Sequence, residues 1–146
     1  MVVRGPRERT VYDALWRVAA IKVHLSKTGE KEAMVVKNEY GESYKQDLKA
    51  NNLRGQFYKC WDQSGVQSNI RFDSRGNCIE SAIQYAAEPG SILDWSAEIG
   101  ELNSTEYTTG SSINAIGRAW HIATAQGDGI INTFDVAAVE EGSYCC

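Results

Sequence analysis

From Arg9 to Lys27 the apolar residues recur at helical spacing. Val11, Ala14, Leu15, Val18, Ile21 and Leu25 form one stripe, and Tyr12, Trp16, Ala19 and Val23 form a second beside it. Read as one helix, the segment has about two-thirds of its circumference apolar, with Asp13, Arg17 and His24 on the narrow polar side. That is more apolar surface than the outside of a monomer needs. It predicts a helix packed both on its own sheet and on a neighbouring subunit, with Val11, Leu15 and Trp16 as the assembly interface. A second reading competes with this one. Ile21-Lys22-Val23-His24-Leu25-Ser26 alternates as a strand does, and Thr28-Gly29 can turn the chain into Ala33 to Lys37. The helix then ends near Val18 and a hairpin follows. Lys22 would interrupt the stripe of the longer helix, which favours the hairpin.

Residues 38–56 are polar and read as a long loop or arm, within which a short helix from Ser43 to Leu53 would put Tyr44 and Leu48 on one face. From Gln56 onward the pattern is one of strands and tight turns. Leu93, Trp95, Ala97 and Ile99 alternate with Asp94, Ser96 and Glu98, the cleanest half-buried strand in the chain. Ile79 to Tyr85, Ile116 to Ile122 and Ile130 to Val136 alternate in the same way. Turn signals separate them at Ser64-Gly65, Arg75-Gly76-Asn77, Pro89-Gly90, Gly110 and Gly127-Asp128-Gly129. The expected fold is therefore β-rich α+β: an antiparallel β-sandwich or barrel with an N-terminal α-helix. The predicted layout is one domain over residues 1–146. A helix and hairpin occupy 8–37, a polar arm 38–56, antiparallel strands 56–139 and a tail 140–146. No internal repeat stands out.

Length agrees with a single domain, since a chain of 146 residues buries about two-thirds of its unfolded surface without metal or disulfide staples. No apolar run is long enough to cross a bilayer as a helix, and none follows Arg4 and Arg7 at once. The expectation is a protein made in the cytosol, without signal peptide or membrane partner. The net charge of −4 argues against general nucleic-acid binding and sequence-specific recognition. It is unevenly spread. Residues 1–54 carry 11 basic and 7 acidic side chains, whereas residues 55–146 carry 4 basic and 12 acidic. Two readings stay open: a basic segment beside an acidic body, or a basic end of one subunit meeting the acidic face of the next.

Candidate chemistry is sparse. The two histidines, His24 and His121, would have to converge with a lysine or an acid to form a nuclease-type pair, and nothing in the pattern brings them together. Neither a Gly-rich phosphate loop nor a nucleophile elbow occurs. Gly127 to Asp135 resembles the second half of an EF-hand or dockerin calcium loop, in which Asp128 and Asp135 would be ligands. The first two ligand positions fall on Thr124 and Gln126, which carry no carboxylate, so Gly127-Asp128-Gly129 reads as a hairpin turn and no metal or cofactor is expected. Asn103-Ser104-Thr105 has the spacing of a glycosylation acceptor. The four cysteines, Cys60, Cys78, Cys145 and Cys146, make no zinc-type pairs. The terminal Cys145-Cys146 resembles the prenylated end of Rab-type GTPases, but acidic Glu140-Glu141 precede it and no phosphate loop accompanies it. All four are candidates for cross-links between subunits, with the terminal pair reaching Cys60 or Cys78 of another copy.

These observations predict a non-enzymatic, self-assembling structural subunit. By analogy of fold it is read as a bacteriophage virion component of tail-tube, neck or capsid-decoration type, located in the virion. Its expected partners are further copies of itself and other structural subunits. The alternative is a small-ligand or carbohydrate-binding β-domain, in which Trp16, Trp61, Trp95, Trp120 and the seven tyrosines line a pocket or stacking face.

Overall fold

A computed structural model describes residues 7–24, 32–44, 48–88, 90–97, 102–134 and 140–145. Their strands are β1 (Glu8–Tyr12), β2 (Val18–His24), β3 (Glu32–Tyr40), β4 (Phe57–Asp62), β5 (Gly65–Phe72), β6 (Cys78–Ala86), β7 (Leu102–Ile113), β8 (Ala119–Ala123), β9 (Gly129–Phe134) and β10 (Glu140–Cys145). All ten lie in one antiparallel sheet, and their order in space is their order in sequence. The sheet is an open meander. Among the described residues β1 pairs only with β2, and β10 only with β9.

The expected fold class is overturned in two respects. The described residues contain no α-helix, and the sheet is neither a closed barrel nor a sandwich. The segment expected as the N-terminal helix is β1, a turn and β2, with Val11 opposite Ala20 and Arg9 opposite Lys22. Its two apolar stripes have a different origin from the one assumed. Val11, Val18, Ile21 and Val23 are β-branched and suit a pleated strand, and apolar residues on both sides of β1 and β2 mimic a wide helical stripe. Asp13 makes the break. Its Oδ1 accepts hydrogen bonds from the backbone of Leu15 (2.8 Å) and Arg17 (2.9 Å), closing a turn where the helix would have run.

That turn is one of four of the same build. At Asp13–Arg17, Asp73–Asn77, Asn114–Arg118 and Thr124–Asp128 the fourth residue donates its backbone N–H to the first carbonyl, and the first donates to the fifth, at 2.8–3.1 Å. This is the hairpin in which a type I turn is followed by one left-handed residue. Gly76, Gly117 and Gly127 hold the left-handed position with φ of 84°, 87° and 89°, and Trp16 holds it in the first turn at 62°. The chain thus contains a structural repeat that the sequence did not display. Its signature is an Asp, Asn or Thr three residues before a Gly, at irregular intervals, and the first copy lacks the Gly.

Two irregular segments cover parts of the sheet. In the first, Leu93 and Trp95 pack on Val66, with Met34, Trp61, Ala86 and Leu102 around them. The Leu93 to Ile99 alternation was expected to be a strand, but Trp95–Ala97 is a 3₁₀ turn and Ile99 lies outside the described residues. Side chains replace the missing ladder. Gln63 donates to the Leu93 carbonyl (2.9 Å) and accepts from its N–H (2.9 Å), Trp95 donates its indole N–H to the Asp62 carbonyl (3.0 Å), and Asp94 accepts from Met34 N (3.0 Å) and Ser96 N (3.1 Å). In the second, residues 48–52 form turns instead of the suggested helix, and Leu53 is fully buried. Gly41 permits this approach, because a Cβ there would overlap the Leu53 carbonyl.

One further turn signal and one strand residue fall differently. Gly110 lies inside β7, and Ile116 sits in the turn before β8, 64% exposed, instead of on a strand. Among the described residues, large parts of the sheet have no second layer over them. Asn103 to Thr109, seven consecutive residues of a strand in the middle of the sheet, are all exposed.

Candidate functional site

The residues expected at an assembly interface sit at one corner of the sheet. Val11 is half-buried on β1, while Leu15 and Trp16 project from the β1–β2 turn, 66% and 84% exposed. Tyr12, 52% exposed, brings its ring within 6.4 Å of the Trp16 ring. The corner is held rigidly. Arg17 donates from Nε to Asp13 Oδ2 (2.7 Å), reaches Glu42 Oε2 with Nη1 (3.3 Å), and lays its guanidinium 3.8 Å from the centre of the Tyr40 ring. Burial alone would raise the Asp13 carboxyl, but hydrogen bonds from Arg17 and Leu15 and the Arg17 charge outweigh it and hold the group below its ordinary value. With its base tied in this way, the turn presents Leu15 and Trp16 outward.

A second apolar surface lies on the opposite half of the sheet. Register places Ile83 opposite Gln67 and Tyr107, while Val66 is opposite Gln84. Side chains alternate along a strand, so Ile83, Tyr85 and Tyr107 lie on the face away from the Leu93 and Trp95 cover. The Tyr85 and Tyr107 rings are 5.7 Å apart. With Ile130 and the Thr124–Asp128 turn they line an open groove of about 700 Å³. Sequence reading missed this groove. Its only signal was the alternation of Ile83 and Tyr85, which looked like the buried side of a strand.

The other residues singled out in the sequence are scattered. Cys60 on β4 and Cys78 on β6 are half-buried free thiols, each pushed up in pKa chiefly by burial. No disulfide joins them. Cys145 ends β10, and Cys146 lies outside the described residues. His24 on β2 is 3.8 Å from Glu32, and His121 is on β8, six strands away, so the two do not converge. Trp61 and Trp95 belong to the covered cluster, whereas Trp120 is 47% exposed. In the calcium-loop segment, Thr124 Oγ1 donates to the Asp128 carbonyl (3.0 Å), so the described part is a hairpin turn; Asp135 lies outside the described residues. Among the described residues no three His, Cys, Asp or Glu side chains gather as a metal site would require, and no helix is long and apolar enough to cross a membrane.

The uneven charge along the sequence is not carried by the first strands: β1 to β3 hold Arg9, Lys22 and Lys37 against Glu8, Glu32 and Glu39. Several basic residues of the first part are already paired nearby: Arg9 and Lys22 with Glu32, and Lys37 with Glu39.

No family model matches the chain, and no curated protein matches it. Solved structures do. A crystal structure of TcdB2-TccC3 superposes on 97% of this chain with a TM-score of 0.85 at 18% identity. A Tc holotoxin pore from Photorhabdus luminescens does so over 97% with a TM-score of 0.86 at 19% identity. The chain spans only 7% of the length of either matched chain. At this identity the likeness is one of fold: the hairpin meander described here is similar to a segment of far longer chains from Tc toxin complexes.

Proposed function

We propose that this chain is a non-enzymatic structural element that works by joining other protein segments in a multi-subunit assembly of the toxin-complex kind. The observation that carries the reading is the match of nearly the whole meander to segments of Tc toxin components. Three features support it. Among the described residues β1 and β10 each have one unpaired edge. Much of its middle is one layer thick, with β7 exposed on both faces. Large apolar side chains stand uncovered at Tyr12, Leu15, Trp16 and along the Ile83 groove. Open edges and bare faces invite pairing with further strands. A bacteriophage virion component remains an analogy of architecture alone, and the similar structures favour a toxin complex over it. The non-enzymatic part rests on the sequence, whose two histidines and few motifs suggest no reaction.

The Tyr85 and Tyr107 groove keeps a second reading in view. Two aromatic rings beside Thr109, Gln126 and Asp128 form a surface on which a sugar ring can stack and hydrogen-bond. Light scattering on the purified chain across a concentration series, alongside titration with a panel of oligosaccharides, separates the two. Mass rising with concentration and no saccharide heat supports the structural reading. A monomer that binds one saccharide with micromolar affinity overturns it.

A further inference from the structure

We draw no further inference here: the strongest candidate, the apolar corner at the β1–β2 turn where Tyr12, Leu15 and a left-handed Trp16 stand exposed, carries nothing because nothing in the structure shows what covers it.

Discussion

The left-handed turn position is where single residues have the largest consequences. An L-residue with a side chain pays about 1–2 kcal/mol to adopt that conformation, while glycine loses about 0.5–1 kcal/mol through its greater freedom when unfolded. Trp16→Gly is therefore expected to leave the melting temperature unchanged or raise it by about 2–4 °C. Gly127→Ala, at φ 89° with open space around the new Cβ, is expected to lose about 1 kcal/mol from backbone strain alone. Calorimetry on the pair checks both signs. Asp73 gives a pH signature. Hydrogen bonds from the Asn77 side chain and backbone, and from Arg75, hold its carboxyl below the ordinary 3.8. A depressed carboxylate stabilises the fold above its unfolded pKa and loses that contribution as pH falls through the lower folded value. Stability is therefore expected to drop below about pH 4. In Asp73→Asn the drop is expected to be smaller, since Asn114 makes the same pair of backbone contacts with a neutral amide. Denaturant melts at pH 2.5 and 7 measure this; equal acid sensitivity in both proteins would contradict it. Little of this scale was legible beforehand. The turns at Gly76 and Gly127 announced themselves, but Trp16 carries no turn signal, and its apolar neighbours gave it a place in a helical stripe instead.

At the scale of elements, local polar contacts decided between a regular strand and an irregular cover. Leu93 to Ala97 alternates as well as any strand in the chain, yet the Gln63 side chain takes the backbone partners of Leu93, and Asp94 bends the chain onto Met34. Periodicity reports which residues face the core and does not report whether the backbone pairs with a strand or with side chains. Trp95, 5% exposed in that cover, is expected to cost about 3–5 kcal/mol when changed to Ala. Gly65 is a sharper constraint. Its φ is 141°, and a Cβ there would lie 2.2 Å from the Gln84 carbonyl oxygen on the neighbouring strand. Gly65→Ala is thus expected to destabilise far more than Gly127→Ala, and urea unfolding of the two variants side by side tests the ranking. Strands β6 and β9 were readable because each has alternation bounded by turn residues. The helix expected at the start of the chain failed because both faces of β1 and β2 carry apolar side chains, so their pattern is no longer period two, whereas the favoured hairpin has its strands: Ile21 pairs with Val36 and Val23 with Ala33.

At the scale of the whole molecule, an open meander has no long-range strand crossing, so what is local in sequence stays local in space. This is why the exposed Leu15 and Trp16 turn and the Ile83, Tyr85 and Tyr107 groove lie apart. The class of the fold, β-rich and antiparallel, could be read from turn spacing. Its openness could not, because closing a sheet into a barrel or stacking it into a sandwich changes which edges pair and leaves the alternation of each strand the same. Missing chemistry and surplus apolar surface in the sequence point to a structural, assembling role; the likeness to Tc toxin components is one of fold, and the role is the proposal made above. The central claim is that this sheet functions by association, and the most direct measurement is sedimentation velocity of the wild-type chain from about 1 to about 200 µM at low and high salt. The account predicts a weight-average mass that climbs with concentration. A single monomeric boundary at every concentration and both salts would contradict it.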